Sequence, residues 1–553
     1  MSNQSSLSSD TGQVKAWGSR RIEIYDTTLR DGSQQEGISL TVGDKLKVAE
    51  QLDNLGVHFI EGGWPGANPK DEEFFKRAPV ELKLNNAQLV AFGSTRRPNS
   101  LAVQDSTLLN LVNSGAQTVC IVAKAWDYHV TQALRTTLDE AIKMVYDSVE
   151  FLTKAGLEVF LDAEHFFDGY KANPEFALQV LKAAQDGGAS TLVLCDTNGG
   201  ALPHEVNKVI PKVWSEISAN LGVHFHNDGG CAVANSLGAA LAGATQIQGC
   251  INGYGERTGN ADLVSIIANL SLKMGFSTIE KEKLEKLSSI SHYIAEILNL
   301  SPNAQQPFVG SSAFAHKAGL HVSAISKRPD AYEHIDPKLV GNSARYVVSE
   351  MAGRSTLVLK SQELGLDLDE NQILQLLGLL KNLENAGYHF EAADASLELL
   401  MRSLTGWKQD FFELESFRVM TERRGHTLPL EIDSSSFEIM TEATVKVNVA
   451  GERILATAEG AGPVHALDAA IRKAVESHFS SLKEIHLIDY RVRVLESAKG
   501  TGAVTRVLID STNGEKIWST IGVSDNVIEA SWQALSDAII YGLTLANTNK
   551  AML

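Results

Sequence analysis

The sequence of 553 residues predicts an α/β protein with three successive parts: a (β/α)8 TIM barrel, a helical linker subdomain and a C-terminal α+β domain with an internal two-fold repeat. Three observations support this prediction. Between residues 22 and 251, short β-branched runs alternate eight times with amphipathic stretches of helical length. Residues 276–410 contain only helical spacing. After residue 440, apolar residues alternate with period two, as in half-buried strands.

The eight apolar runs recur at the spacing of strand–helix units, and each ends in polar residues. Eight such units fill roughly 250 residues, the size of a TIM barrel. A doubly wound sheet is the alternative, but the first run leads into Arg30-Asp31-Gly32 rather than a G-x-G-x-x-G turn. Six runs follow a glycine of the kind that ends a helix, at positions 56, 115, 156, 188, 222 and 243. The runs are 22–29, 58–63, 89–94, 118–123, 158–163, 191–195, 223–226 and 246–251.

The remaining parts follow from a change of periodicity. Residues 371–383 and 392–404 have apolar residues at helical spacing. Further on, 443–449 and 454–458 form a predicted hairpin before a helix, and 506–509 and 517–523 repeat this pattern 62 residues later. We therefore expect a disordered tail at 1–20, a catalytic barrel at 21–275, helical linker subdomains at 276–410 and a C-terminal regulatory domain at 411–553.

Composition and charge exclude several classes of function. Asp and Glu number 67 against 49 Lys and Arg, and a net charge of −18 repels phosphate backbones, so we expect no nucleic-acid partner. Four cysteines without a CxxC pair fit a reducing cytoplasm rather than a disulfide scaffold. No apolar segment reaches 18 residues, and the Ser-rich start lacks the apolar core of a secretory signal. These features predict a cytoplasmic protein without a membrane partner.

The polar ends of the predicted strands contain a metal-binding pattern. His224 and His226 stand two residues apart on the seventh strand, so both imidazoles face the lumen at the end where TIM-barrel sites lie. Closure of the barrel brings Asp31 and Asn260 towards them, because the eighth strand neighbours both the seventh and the first. This mixed set of nitrogen and oxygen ligands leaves open positions, which suits Mn²⁺, Mg²⁺ or Zn²⁺. It does not suit a structural zinc ion, which prefers thiolates and closed coordination. The alternative is that each histidine is an ordinary hydrogen-bonded core residue.

Three motifs occur in order on the predicted strands: Asp26-Thr-Thr-Leu-Arg-Asp-Gly32, His224-Phe-His226 and Gly253-Tyr-Gly-Glu-Arg-Thr-Gly-Asn260. Together they resemble the acyl-CoA-condensing synthases, a family that includes isopropylmalate, homocitrate and citramalate synthases. The similarity covers the chain after residue 20. It implies a homodimer with a divalent metal cofactor. It also implies a Claisen condensation, in which the enolate of acetyl-CoA attacks the keto carbon of a 2-oxoacid and hydrolysis releases CoA.

The resemblance also implies a set of catalytic residues. Arg30 is the candidate cation that stabilises negative charge and binds the oxoacid. His321 matches the general base, with Glu256 as its orienting carboxylate and Tyr332 nearby. His316 is the alternative base, and whether these residues act within one chain or across a dimer stays open.

Other polar residues at the strand ends are candidates for substrate binding. Glu164 and Thr197 match family positions that hold the oxoacid or tune the metal site, and a helix cap is the alternative for Thr197. Arg96 and Arg97 are either contacts to the oxoacid or CoA phosphates, or surface residues. Asp26 is predicted to pair with an arginine rather than to bind metal.

The repeated C-terminal domain resembles the amino-acid effector domain of the same family. Gly460, Gly462 and Pro463 open a predicted helix and are the candidate effector-binding residues. An effector there would favour a less active arrangement of the dimer. A dimerisation module without a ligand is the alternative.

Departures from typical isopropylmalate synthases favour pyruvate as the oxoacid. The fifth strand ends in Phe160-Leu-Asp-Ala-Glu-His-Phe-Phe-Asp-Gly169, Val-Ser-Ala follows His321, and segments 61–68 and 334–342 resemble the pyruvate-using branch. That branch leads to isoleucine, which is therefore the expected feedback effector. The alternatives are condensation with 2-ketoisovalerate for leucine synthesis, a metal-dependent acyl-CoA lyase and a non-catalytic amino-acid sensor.

Overall fold

The computed structural model describes residues 20–316, 328, 332–346, 354–425, 437–495, 502–514 and 516–552. They divide into two units. One comprises the described residues up to Phe314 together with Glu333–Ala344, and the other comprises those of Ala315–Tyr332 and Arg345–Leu553. The predicted disordered tail at 1–20 lies outside the described residues except for Arg20. Among the described helices, none is long and apolar enough to cross a membrane.

Eight parallel strands close into a barrel in the first unit, which confirms the predicted TIM barrel. The barrel closes between its first and last strands, where Asp26 lies opposite Gly249. The strands are β1 Glu23–Asp26, β2 Phe59–Gly63, β3 Gln88–Ser94, β4 Thr118–Lys124, β5 Glu158–Glu164, β6 Thr191–Asp196, β7 Asn220–Phe225 and β8 Gln246–Gly249.

Seven of these strands begin within one residue of their predicted starts, and β7 is the exception. We predicted that Gly222 ends the preceding helix, and this was wrong because Gly222 lies inside β7. A Cβ atom at Gly222 would lie 2.9 Å from Cγ2 of Val193 on the neighbouring strand, so close packing explains the glycine. The other five predicted helix-ending glycines all have positive φ.

Helices alternate with the barrel strands and continue beyond them. The predicted helical stretches at 371–383 and 392–404 are confirmed as α14 and α15. The helices are α1 Val42–Leu55, α2 Pro69–Glu81, α3 Ser106–Val112, α4 Asp127–His129, α5 Leu138–Lys154, α6 Phe166–Ala172, α7 Pro174–Gly187, α8 Pro203–Trp214, α9 Ala232–Ala242, α10 Leu263–Ala268, α11 Lys281–Leu284, α12 Leu287–Ile297, α13 Arg354–Glu363, α14 Glu370–Asn385, α15 Asp394–Leu404, α16 Pro463–Val475 and α17 Val527–Met552.

The lumen of the barrel is filled in layers, because every second strand residue points inward. An aromatic layer is formed by Tyr25, Phe59 and Phe160, whose ring centroids lie 5.0–6.1 Å apart. Two residues further along β2 and β5, buried Glu61 and Asp162 form a polar layer. The lumen therefore changes from apolar to charged towards the carboxyl ends of the strands.

The second unit contains the predicted repeat, with one more strand in each half than expected. Each half is a three-stranded antiparallel sheet followed by a helix, α16 or α17. The sheets consist of β11 Phe412–Gly425, β12 Phe437–Val449 and β13 Glu452–Gly460, and of β14 His486–Val494, β15 Thr505–Thr512 and β16 Ile517–Ser524. A two-residue parallel pair, β9 Ala315–His316 and β10 Arg345–Tyr346, also lies in the stretch predicted to be helical.

Candidate active site

Asp31, His224 and His226 come together at the carboxyl end of the barrel. Oδ2 of Asp31 lies 3.3 Å from Nε2 of His224 and 3.6 Å from Nε2 of His226. The three side chains are buried, and their candidate ligand atoms all lie within 4.8 Å of one another. This is the convergence expected from strand parity and barrel closure, and it places one carboxylate and two imidazoles around a common point.

Asn260 follows the barrel and pairs with His226 in an antiparallel bridge. Its Nδ2 donates to the carbonyl oxygen of Tyr254 at 3.1 Å, whereas its buried Oδ1 has no hydrogen-bond partner among the described residues. A buried carbonyl oxygen without a partner is costly, and oxygen is a ligand for Mg²⁺, Mn²⁺ and Zn²⁺. The four side chains therefore fit a divalent cation.

The charges around the site favour an ionised carboxylate and one neutral imidazole. Burial raises the pKa of Asp31, but Arg30 and the two imidazoles outweigh it, so the pKa lies well below its ordinary value. Burial and the nearby His224 lower the pKa of His226 to about 4. Burial lowers the pKa of His224, but Asp31 outweighs it and raises that pKa.

Arg30 lies beside Asp31 and is held by three contacts. Its Nε donates to Glu61, its Nη1 lies 3.6 Å from Oδ2 of Asp31, and its guanidinium lies 3.9 Å from the centre of the Phe92 ring. The planar guanidinium is thus fixed by a carboxylate at one side and by an aromatic face. Arg30 therefore lies next to the carboxylate of the candidate metal set, and its catalytic role stays a prediction.

Glu164 and Thr197 both lie at the mouth of the barrel. Glu164 ends β5 and forms an ion pair with Lys124 at the end of β4. Thr197 follows β6, and its hydroxyl accepts a hydrogen bond from the backbone of His165 at 2.9 Å. The alternative of a helix cap for Thr197 was wrong, because the next helix begins at Pro203 with Leu202 at its N-cap.

The residues predicted for proton transfer are distributed over both units. Glu256 belongs to the first unit, where its side chain is 54% exposed and lies 3.8 Å from Arg257. Tyr332 and His316 belong to the second unit, and Tyr332 is 48% exposed. His321 lies outside the described residues. The proton-transfer group therefore stays a prediction.

Two further predictions were wrong. Asp26 does not pair with an arginine: its carboxylate accepts hydrogen bonds from the backbone and hydroxyl of Thr28. Arg96 is neither a surface residue nor an open substrate contact, since it is 2% exposed and paired with Glu140 and Asp147. These two carboxylates on α5 compensate its buried charge.

The candidate effector residues lie where β13 leads into α16. A Cβ atom at Gly460 would lie 2.4 Å from the backbone nitrogen of Ala466, so the strand and the helix approach closely here. Gly522 occupies the equivalent place in the second half, 1.9 Å from the carbonyl oxygen of Ala530 on the same measure. Gly462 is the N-cap residue, and Pro463 follows at the first helical position. The two repeated glycines therefore have a packing role, and effector binding stays a prediction.

Sequence reasoning placed Glu61 and Asp162 at polar strand ends without assigning them a role, and it missed Gln248; all three are buried in the lumen. Each stands within an apolar run, at a position of the strand that faces inward. A polar residue at an inward position of a buried strand is costly unless it has partners. The alternation of inward and outward positions along each strand was the sequence signal that could have identified them.

Three family models match successive parts of the chain. HMGL-like matches residues 21–294, the homocitrate synthase post-HMGL domain-like family matches 308–387, and the LeuA allosteric (dimerisation) domain matches 391–543. The (R)-citramalate synthase of Aquifex aeolicus is 52% identical over 527 residues, which cover 95% of this chain and 98% of that protein. The chain belongs to the (R)-citramalate synthase family.

Other members and relatives agree with this placement. The (R)-citramalate synthase of Streptomyces coelicolor is 53% identical over 533 residues, covering 96% of this chain and 98% of that protein. The 2-isopropylmalate synthase of Methanocaldococcus jannaschii is only 29% identical over 526 residues, covering 94% of each chain. The similarity to citramalate synthases therefore extends over 95–96% of the chain.

Proposed function

We propose that this protein is an acyltransferase that condenses acetyl-CoA with pyruvate and hydrolyses the product to (R)-citramalate and CoA. The observation that carries the proposal is the buried set of Asp31, His224 and His226 beside Arg30, in a chain of the citramalate synthase family. This reaction is the first step of the pyruvate route to isoleucine.

The side chains at the barrel mouth have complementary tasks in this proposal. Asp31, His224, His226 and Asn260 would hold a divalent cation, which when bound supplies Lewis acidity to the keto group of pyruvate. Arg30 is fixed beside this set and stabilises the negative charge that develops on the oxoacid oxygens.

Glu164 and Thr197 are proposed to hold the oxoacid in place. Glu164 ends β5 and Thr197 follows β6, at the same end of the barrel as the candidate metal set. An oriented substrate reacts faster because the entropy of alignment is lost on binding rather than in the reaction.

For the proton transfer we propose His321 as the base that removes a methyl proton from acetyl-CoA. Glu256 would orient its imidazole and Tyr332 would lie nearby, with His316 as the alternative base. An imidazole is suited to this step because its pKa lies near the working pH.

The substrate is tested by release of CoA thiol from acetyl-CoA in the presence of pyruvate, 2-ketoisovalerate or 2-oxoglutarate. We expect pyruvate to give the highest kcat/KM, with a preference of about 10–200-fold, the range that small differences of apolar size produce. Preference for 2-ketoisovalerate would replace the proposal by 2-isopropylmalate synthesis. Absence of thiol release with every oxoacid would overturn the synthase proposal.

We also propose a cytoplasmic homodimer in which the domain at 411–553 binds isoleucine as a feedback effector. The match to the LeuA allosteric (dimerisation) domain supports this proposal, as do the candidate residues Gly460, Gly462 and Pro463 at a helix start. Sedimentation of the purified chain measures the dimer. Thiol release with added isoleucine, with leucine as the control, measures the regulation.

A further inference from the structure

His224 faces Asp31 with its Nε2, and its other ring nitrogen, Nδ1, has a hydrogen-bond partner of its own. Its Nδ1 lies 2.9 Å from Oε1 of Gln248, and Nε2 of Gln248 donates to Oδ1 of Asp162 at 3.1 Å. All these side chains are buried. The buried Nδ1 of His226, in contrast, has no hydrogen-bond partner among the described residues.

The direction of these hydrogen bonds determines the tautomer of His224. Oδ1 of Asp162 accepts a hydrogen bond from the amide nitrogen of Gln248 at 3.1 Å. Gln248 therefore turns its amide nitrogen to Asp162 and its oxygen to His224. Since an amide oxygen only accepts, Nδ1 of His224 carries a proton, and when the ring is neutral its lone pair is at Nε2, the atom that faces Asp31.

We propose that Gln248 is a positioning residue of the metal site, which orients His224 and keeps its Nε2 available as a ligand. This inference rests on the metal site of the proposed function. Gln248 acts through His224 rather than on the substrate. Partners of this kind at the second nitrogen of a metal-binding histidine raise metal affinity.

The barrel itself fixes this arrangement. His224 on β7 and Gln248 on β8 lie directly opposite each other in the strand register, and both face the lumen. Asp162 belongs to β5, across the lumen, so the chain of hydrogen bonds connects three strands. Gln246 is buried two residues before Gln248 on the same strand, one layer further from the metal set. It offers a matched control for the same substitution.

The test is binding of Mn²⁺ to the full-length, metal-free protein, measured by electron paramagnetic resonance and calorimetry. Gln248→Met keeps the volume and removes both hydrogen bonds, and we expect the Kd for Mn²⁺ to rise 10–100-fold. Gln248→Glu keeps an acceptor for Nδ1–H and must share a proton with Asp162, so we expect its Kd to rise less than that of Gln248→Met. Gln246→Met is expected to bind Mn²⁺ like the unmodified protein.

Circular dichroism establishes that each variant is folded. Should Gln248→Met not fold, Gln248→Asn replaces it, because its amide is one methylene too short to reach both partners, and the same loss is expected. The role of Gln248 is overturned if the Kd for Mn²⁺ is unchanged in Gln248→Met or Gln248→Asn. It is also overturned if Gln246→Met raises the Kd by the same factor. Failure of the unmodified protein to bind Mn²⁺ overturns the metal site itself, so the two failures are distinguishable.

Discussion

Single residues of the lumen create an environment in which a cation is favourable. Asp31, Glu61 and Asp162 are buried around one guanidinium, that of Arg30. Burial raises the pKa of Glu61 and of Asp162, whereas at Asp31 the nearby Arg30 and the two imidazoles outweigh burial and hold the pKa well below its ordinary value. Asp31 is therefore the ionised carboxylate of this group, and its charge is an argument for the candidate metal site that does not depend on the relatives.

His224→Ala is the direct test of the metal ligands. Loss of a ligand exceeds the 10–100-fold cost of losing an outer partner, so we expect at least a 100-fold weaker affinity for metal and a similar loss of kcat/KM. Metal content of the purified protein and thiol release measure these effects, and circular dichroism monitors the fold. Full activity of His224→Ala would refute the assignment.

Arg30→Lys tests the planar guanidinium beside Asp31. Lysine keeps the charge but loses the stacking on Phe92 and the fork geometry, so we expect kcat/KM for pyruvate to fall at least about tenfold. Arg77→Lys is the matched control, because Arg77 lies on α2 in a solvent-exposed ion pair with Glu81. An equal effect in both variants would contradict a special role for Arg30.

Asp537→Asn tests a buried carboxyl of the second unit. Burial raises the pKa of Asp537 to about 6, and its Oδ2 accepts a hydrogen bond from the hydroxyl of Ser396 at 2.6 Å. The native state thus binds the proton more tightly than the unfolded state, and stability is lost as pH rises from about 4 to about 6.

The neutral amide keeps an acceptor for Ser396 and removes this loss. We expect Asp537→Asn to stabilise the chain by about 1–2 kcal/mol at pH 7.5 and to leave its stability unchanged at pH 4. Thermal unfolding at both pH values measures the difference. A shift of the same size at both values would show that charge is not the cause.

Whole elements were predictable where a continuous apolar run indicates a buried strand. The barrel strands combine apolar runs with polar ends, so their positions could be derived from the sequence. β14 could not, because it is almost entirely exposed and shows no alternation between buried and exposed residues. β11 is equally difficult, since charged residues interrupt its apolar ones. Edge strands of this kind take their conformation from the neighbour with which they pair.

Gly460→Ala tests the contact between β13 and α16. The added methyl group would lie 2.4 Å from the backbone of Ala466, so we expect a loss of about 1–3 kcal/mol in stability. Gly462→Ala is the control, since nothing lies within 4 Å of its Cβ position and its φ of −168° is extended. Thermal unfolding of both variants measures the effect. A loss of stability in Gly460→Ala that is absent in Gly462→Ala would show that close packing requires the glycine at 460.

For the molecule as a whole, the sequence predicts the part of the site that lies on the barrel strands or within a few residues of their ends. Strand parity and closure were sufficient to bring Asp31 and the two histidines together. The partners beneath them, such as Gln248, depend on side-chain directions across the lumen, which no spacing along one strand determines. The base is not predictable in the same way, because its candidates come after the eight predicted strands in the sequence, where strand parity gives no direction.

Removal of the metal is expected to destabilise the folded protein. A ligand that binds only the native state adds about 2.7 kcal/mol at 100 times its Kd, so chelation should lower the Tm by about 4–10 °C. Differential scanning calorimetry with and without chelator measures this. The His224→Ala variant should show no response to the chelator, and an equal response there would mean that the ion binds elsewhere.

Closure of the barrel between β1 and β8 also has a consequence for the time course of synthesis. Asp31 leaves the ribosome long before His224 and His226, and Asn260 comes later still. At about 5–20 residues per second, the first ligand waits roughly 10–40 s for the others. A nascent chain that has not yet made β8 cannot assemble this candidate site, so capture of a metal there would follow completion of the barrel. Binding of an ion would thus report that the eight strands of a new chain have closed.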